Sequence, residues 1–281
     1  MKPNPAGPSD RSVWILRFVD GGGKTCAVWF SYACHPVIVK DSAPRMISGD
    51  YPGVARHKIR AALGRGVHPQ FLQGPGGNLR PRCLADLERG VFRKPAPADL
   101  DNTGGQLADA VCAALGRPGR PLAPRIAASM ERVALKRGAA PPKSLYEDIA
   151  RDKTGYPAEA ARYWLAQLDR GGPTETASSW SVGVIRLARD QWVVYLAGEP
   201  VVQWAALCGD WFGDKPVAVL GYAQEVFCYL PVDEMLDQDV YEVRSSNYFR
   251  IATCAPFAPG LNAAIRKSVL EQVADIESAN P

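Results

Sequence analysis

The hydrophobic pattern along the chain alternates between strand-like runs and helical stripes. VWILRFV at 13–19 and TCAVWFSYA at 25–33 are rich in β-branched and aromatic residues, and DGGGK between them supplies turn glycines. The two runs predict a hairpin that leads straight into Cys34-His35-Pro36. SGDYPGVARHKIRAALG (48–64) predicts a helix entered through Ser48 or Asp50, with Pro52 in its first turn and Gly64 near its end. FLQ and a glycine loop follow, and GQLADAVCAALG predicts a second helix over 105–116. Residues 117–145 are proline-rich and enclose one strand, IAASMERVALK; a helix is expected over 157–169.

A second hairpin follows, WSVGVIRLA and QWVVYLAG joined at Arg189-Asp190, and it leads into Glu199-Pro200. VVQWAALCGDWF reads as a helix, PVAVLGYA (216–223) as a buried strand, and GLNAAIRKSVLEQVADI as an amphipathic helix. Leu261, Ile265, Val269, Leu270 and Val273 form that helix's apolar face. Mixed strands and helices with hairpins predict an α/β (mixed α+β) fold, layered, with partly antiparallel sheets flanked by helices. Both hairpins end in a potential metal ligand just before a proline, at the strand ends where side chains from separate hairpins can meet.

Composition narrows the function classes. With 281 residues, 47% hydrophobic and 22% charged, the chain has ample material for a core and is not mainly disordered. The 33 basic residues are scattered and the net charge is only +4, so no nucleic-acid footprint emerges. No apolar run approaches the ~20 residues of a membrane-spanning helix. The polar N-terminus MKPNPAGPSDRS lacks the apolar core of a secretory signal. Seven cysteines, at 26, 34, 83, 112, 208, 228 and 254, show no CxxC spacing and read as mostly buried free thiols. A reducing, cytoplasmic location is the resulting expectation.

Several residues are candidates for chemistry, and each has a structural alternative. His35, at the end of a β-rich run, is a packed histidine bonded to backbone or a metal ligand. His57 in ARHKIR reads as solvated, and His68 before Pro69 as a surface loop residue. Glu199 directly follows an apolar strand and would be costly to bury unpaired. It is either an exposed helix N-terminus or a metal ligand or general base. The loop FLQGPGGNLRPR (71–82) lacks the Lys and Ser/Thr of a P-loop. Gly76 and Gly77 would let a ligand approach the backbone, and Asn78 and Arg80 add polar donors; a tight turn is the alternative.

Five segments taken in order resemble the amidase domain of the neutral/alkaline non-lysosomal ceramidase family. They are FSYACHP (30–36), RMISGDYPG (45–53), FLQGPGGNLRP (71–81), LAGEPVVQ (196–203) and GYAQEVFCYLPVDEMLDQDVYE (221–242). The stretch from about 90 to 175 matches only loosely. The resemblance implies a single ceramidase-like domain over 1–281, without the family's N-terminal segment and C-terminal immunoglobulin-like domain. It implies a zinc site with His35, Glu199 and Tyr229 as metal ligands, and Tyr241 reaching the scissile amide. The N and O donors suit zinc, which activates water and polarises a carbonyl.

Two departures stand out. The family's other zinc histidine lies in an N-terminal His-Thr-His motif, and no histidine precedes His35 here. A second chain supplying that ligand is one resolution; His57 or His68 as a substitute is another. The family's catalytic serine is replaced by Arg80, which cannot act as nucleophile but can bind a carboxylate or phosphate. The implied function is therefore zinc-dependent hydrolysis of a non-peptide amide bond. The substrate would be a small-molecule or lipid amide and need not be ceramide, with Gly76, Gly77 and Asn78 in the substrate-binding loop. The alternatives are a catalytically inactive remnant or subunit of a split ceramidase-like protein, and a metal-independent anion-binding module.

Overall fold

The structure, a computed structural model, describes every residue except 1, 44, 173–176, 249, 251–254 and 280–281, so Cys254 lies outside the described residues. It divides into two compact units, residues 1–122 and 123–281, each described below by itself.

The first unit opens with the expected hairpin, β1 (Trp14–Val19) antiparallel to β2 (Thr25–Tyr32). A short helix α1 (Ile38–Ser42) precedes α2 (Asp50–Leu63), which begins at the SGDYPG signal. The chain then returns as β3 (His68–Gln73), paired parallel to β2. His68 is thus the first residue of a strand rather than a loop residue, though its side chain is exposed. β3 completes a sheet of order β1-β2-β3. A small hairpin, β4 (Ala85–Asp86) with β5 (Val91–Phe92), leads to α3 (Pro97–Leu115).

α3 starts well before the expected Gly105. Pro97 fixes the first turn, and Asp99 accepts the Ala96 N–H at 2.6 Å and a two-pronged contact from Arg93 at 2.8 Å. The helix runs through Gly104 because it crosses α2 there. A Cβ on Gly104 would lie 2.5 Å from Val54 and 2.8 Å from the Tyr51 carbonyl. Val28, Phe30, Tyr51, Ile59, Leu84 and Val111 form this unit's core.

The second unit is built on β6 (Pro124–Lys136), β7 (Ala177–Ala188), β8 (Gln191–Leu196) and β10 (Val217–Leu220), in the order β10-β8-β7-β6. β7 is antiparallel to both of its neighbours, β6 and β8, and β10 runs parallel to β8. Between β6 and β7 lie α4 (Lys143–Asp152) and α5 (Tyr156–Asp169), packed on each other through Tyr146, Ile149, Ala161 and Trp164. α4 starts at the end of the proline-rich stretch 117–145, where only a strand is expected. After β8 come β9 (Glu199–Pro200) and α6 (Gln203–Phe212), and after β10 come β11 (Tyr229–Leu230), α7 (Ser245–Tyr248) and α8 (Leu261–Ala279). Trp180, Trp192, Trp204, Leu196, Leu230 and Ile265 anchor the core. α8 contributes Leu261, Ile265, Val269 and Val273 of its expected apolar face, with Ile276 buried and the expected Leu270 only half-buried.

The expected α/β architecture with partly antiparallel sheets and flanking helices is the one observed. A common plan appears in both units: hairpin, helix, then a strand parallel to the hairpin's second strand. His35 stands three residues past Tyr32, the end of β2, and Glu199 three past Leu196, the end of β8. Each donates its backbone N–H into the loop after the parallel strand, His35 to Leu79 at 3.1 Å and Glu199 to Cys228 at 3.0 Å. Among the described residues, no helix is long and apolar enough to cross a membrane.

Candidate functional site

In the first unit the segment after β2 is pinned from several sides. Tyr51, fully buried, donates its hydroxyl to the Cys34 carbonyl at 2.7 Å, and Gln73 donates to the same carbonyl at 3.2 Å. Asp50 takes a left-handed backbone (φ 50°) at the start of α2, a conformation Asp tolerates better than most residues. Its carboxylate accepts the N–H groups of Val39 and Tyr51, both at 2.7 Å. Burial pushes the Cys34 thiol up to about 12, so it is protonated at neutral pH.

His35 sits where this scaffold meets the glycine loop. Its Nε2 is 2.9 Å from the Gly77 carbonyl. The ring N–H must donate there, because a carbonyl only accepts, and in the neutral ring the lone pair then sits on Nδ1. Metal-ligating histidines commonly make such a second contact through their other nitrogen. Gly76 is needed for packing: a Cβ there would lie 2.7 Å from the Cys34 amide nitrogen. Asn78 follows in the same loop and is half-buried. Arg80 is paired with the Asp41 carboxylate, and its guanidinium lies 4.7 Å above the Phe92 ring. That head group already holds an internal carboxylate, a partner the sequence did not disclose.

The second unit assembles the other candidates. β9 and β11 pair parallel with Glu199 opposite Tyr229. Both side chains are buried, and the Tyr229 hydroxyl donates to the Glu199 carboxylate. Burial raises the Tyr229 phenol far above the ordinary tyrosine range, and the Glu199 charge adds to that. The Tyr241 ring packs edge-on against Tyr229, with centroids 5.4 Å apart. Burial raises the Tyr241 phenol too, while Arg250, which donates to its oxygen, pulls it down. Arg250 Nη2 also reaches Glu199 Oε1 at 3.5 Å. Glu242 is half-buried beside them; burial raises its carboxyl, and the Glu199 charge pushes the same way.

Glu199 reaches this place because Gly198 turns the chain in a left-handed conformation (φ 73°), and its own N–H bonds the Glu225 carbonyl at 2.7 Å. The Glu225 carboxylate accepts from the Ser181 N–H and hydroxyl, both at 2.9 Å, and from Arg132 at 2.7 Å. Tyr222 and Gln224 in the same loop hold positive φ values of 61° and 65°, costly for non-glycine residues and common where function over-determines the backbone.

The structure brings Glu199, Tyr229 and Tyr241 together in the second unit, and sets His35 against the loop of Gly76, Gly77, Asn78 and Arg80 in the first. Sequence reasoning grouped His35 with Glu199 and Tyr229 as one ligand set and did not foresee this division. It missed Arg250, which lies in SSNYFR with no motif around it, and the supporting Asp50, Tyr51 and Glu225. The imidazole, carboxylate and phenol donors form an N,O set compatible with zinc. Among the described residues, no group of three or more His, Cys, Asp or Glu side chains is gathered to hold a metal ion. The expected ligand set does not need one, since its third member is a tyrosine.

The fold is shared with solved ceramidases. The neutral ceramidase from Pseudomonas aeruginosa superposes with a TM-score of 0.68 at 17% identity, over 96% of this chain and 47% of that one. A ceramidase complexed with C2 gives 0.64 at 15% identity, over 99% of this chain and 50% of that one. The chain thus spans about half the length of these two structures. At such identities the likeness establishes a ceramidase-like fold. No protein-family model matches the chain, and no curated protein matches it.

Proposed function

We propose that this chain is a ceramidase-like, zinc-dependent hydrolase of a non-peptide amide bond, with a small-molecule or lipid amide as substrate. The observation that carries the reading is the group formed by Glu199, Tyr229 and Tyr241 within a ceramidase-like fold. In this reading His35, Glu199 and Tyr229 are the residues that would hold the metal, with the Gly77 carbonyl orienting the histidine. Zinc bound there supplies a Lewis acid and water of lowered pKa. Tyr241 donates a hydrogen bond or proton to the oxygen that gains charge. Asn78 and the backbone around Gly76 and Gly77 border the substrate. Arg80 orients an anionic group by exchanging it for Asp41.

A second reading has one observation in its favour. Where the family carries a nucleophilic serine, Arg80 is tied to Asp41 and stacked on Phe92, as expected of an inactive subunit that keeps the fold. Metal content and fatty-acid release decide between the two. The hydrolase should purify with about one zinc per chain and release acid from N-acyl sphingosine or a simpler N-acyl amide. Glu199→Gln and His35→Ala should lose both. No zinc and no hydrolysis would establish the inactive subunit. Zinc that appears only when a histidine-bearing partner is added would assign the missing ligand to a second chain. Phosphate binding that survives chelation would favour the anion-binding module.

A further inference from the structure

Arg250 places a cation against the same carboxylate that the zinc reading assigns to the metal. Its Nη2–Oε1 separation from Glu199, 3.5 Å, is well beyond the about 2.7–2.9 Å of a tight charge-assisted bond. The guanidinium has a second acceptor at hand in the Tyr241 oxygen. Its backbone is held in place, because Trp164 on α5 donates its indole N–H to the Arg250 carbonyl at 2.8 Å. The arginine can therefore shift its head group between carboxylate and phenol without leaving the site. The stretch carrying α4 and α5 is also where the resemblance to ceramidases is loosest, so the anchor lies outside the motifs that carry that resemblance.

We infer that Arg250 is a built-in counter-cation of Glu199 that competes with zinc for this carboxylate and so sets the metal affinity of the site. The inference rests on the zinc reading above. Two cations sharing one carboxylate in a part-buried setting repel each other more strongly than they would in water. Metal entry at Glu199 must then displace the guanidinium toward Tyr241, and removing the guanidinium must tighten metal binding.

The test is the zinc dissociation constant of the full chain, measured against a chromogenic chelator at fixed pH and ionic strength. Arg250→Gln and Arg250→Met, the latter keeping the aliphatic stem, are expected to bind zinc at least tenfold more tightly than the unmodified protein. Arg250→Lys, which keeps the charge, is expected to stay within about threefold of it. Should neither neutral variant fold, Trp164→Phe keeps every charge, releases the anchored carbonyl, and is expected to tighten binding by a smaller factor. Unchanged or weaker zinc binding in the variants that fold, with the unmodified protein binding normally, overturns this inference and leaves the hydrolase reading intact. Absence of zinc binding in all of them overturns both.

Discussion

Replacing Gly198 with alanine tests how Glu199 is delivered to its place. The residue holds φ 73°, and an added Cβ would lie 2.2 Å from the Trp180 ring and 2.7 Å from the Cys228 carbonyl. Trp180 is 1% exposed and packs against both Phe227 and Phe257, so it has nowhere to retreat. The left-handed backbone costs a non-glycine residue about 1–2 kcal/mol, and overpacking a tight core about 1–3 kcal/mol more. Alanine also stiffens the unfolded chain, which returns about 0.4–1 kcal/mol. The net expectation is a loss of about 2–4 kcal/mol. With a urea m-value of about 2 kcal/mol/M, the unfolding midpoint should fall by about 1–2 M. Tryptophan fluorescence reports it directly, because Trp180, Trp192 and Trp204 all lie in this unit's core. Gly209→Ala is the control of opposite sign: Gly209 lies inside α6, and nothing stands within 4 Å of its added Cβ. It should gain about 0.5–1 kcal/mol. A loss below about 1 kcal/mol for Gly198→Ala, or equal effects at the two sites, would refute the reasoning.

Tyr51→Phe keeps the ring contact with Phe71 and removes only the hydroxyl donor to Cys34. Gln73 still donates to that carbonyl, so thermal or urea unfolding should show a cost of about 1 kcal/mol, the net value of one hydrogen bond, and a loss above about 3 kcal/mol would contradict it. Brief alkylation of the folded protein followed by mass mapping should label exposed Cys26 and spare buried Cys34 and Cys208; early labelling of Cys34 would contradict its burial and raised pKa. Glu242 has a folded pKa above its unfolded value, so the folded state holds its proton more tightly and this group's contribution to stability falls as pH rises through that interval. Glu242→Gln should therefore be more stable than the parent at neutral pH and match it below about pH 4, where the parent side chain is protonated in both states. A benefit that is independent of pH would rule out ionisation as its source.

The regular elements were legible where a residue's neighbours in sequence decide its fate. β1, β2, β7 and β8 follow from β-branched and aromatic runs joined at turn residues, α2 from its start and end signals, and α8 from its apolar stripe. The start of α3 was not legible, because Gly104 and Gly105 resemble a helix boundary until α2 is seen to cross there. α4 was masked by prolines, and the short pairing of β9 with β11 lies below any periodic signal. The same division runs through the site. His35, Glu199, Tyr229 and Tyr241 stood within recognisable segments. Arg250 and Asp41 did not, since a single charged residue declares its partner only when the chain folds, and the partners here are 51 and 39 residues away.

The matching positions of His35 and Glu199 bear on how such sites change over evolutionary time. Each residue donates its backbone N–H three residues past a strand end, a contact that does not depend on its side chain. The backbone contact at either position is thus compatible with more than one side-chain type. A point substitution there changes the chemistry that the position offers while keeping the backbone contact that presents it.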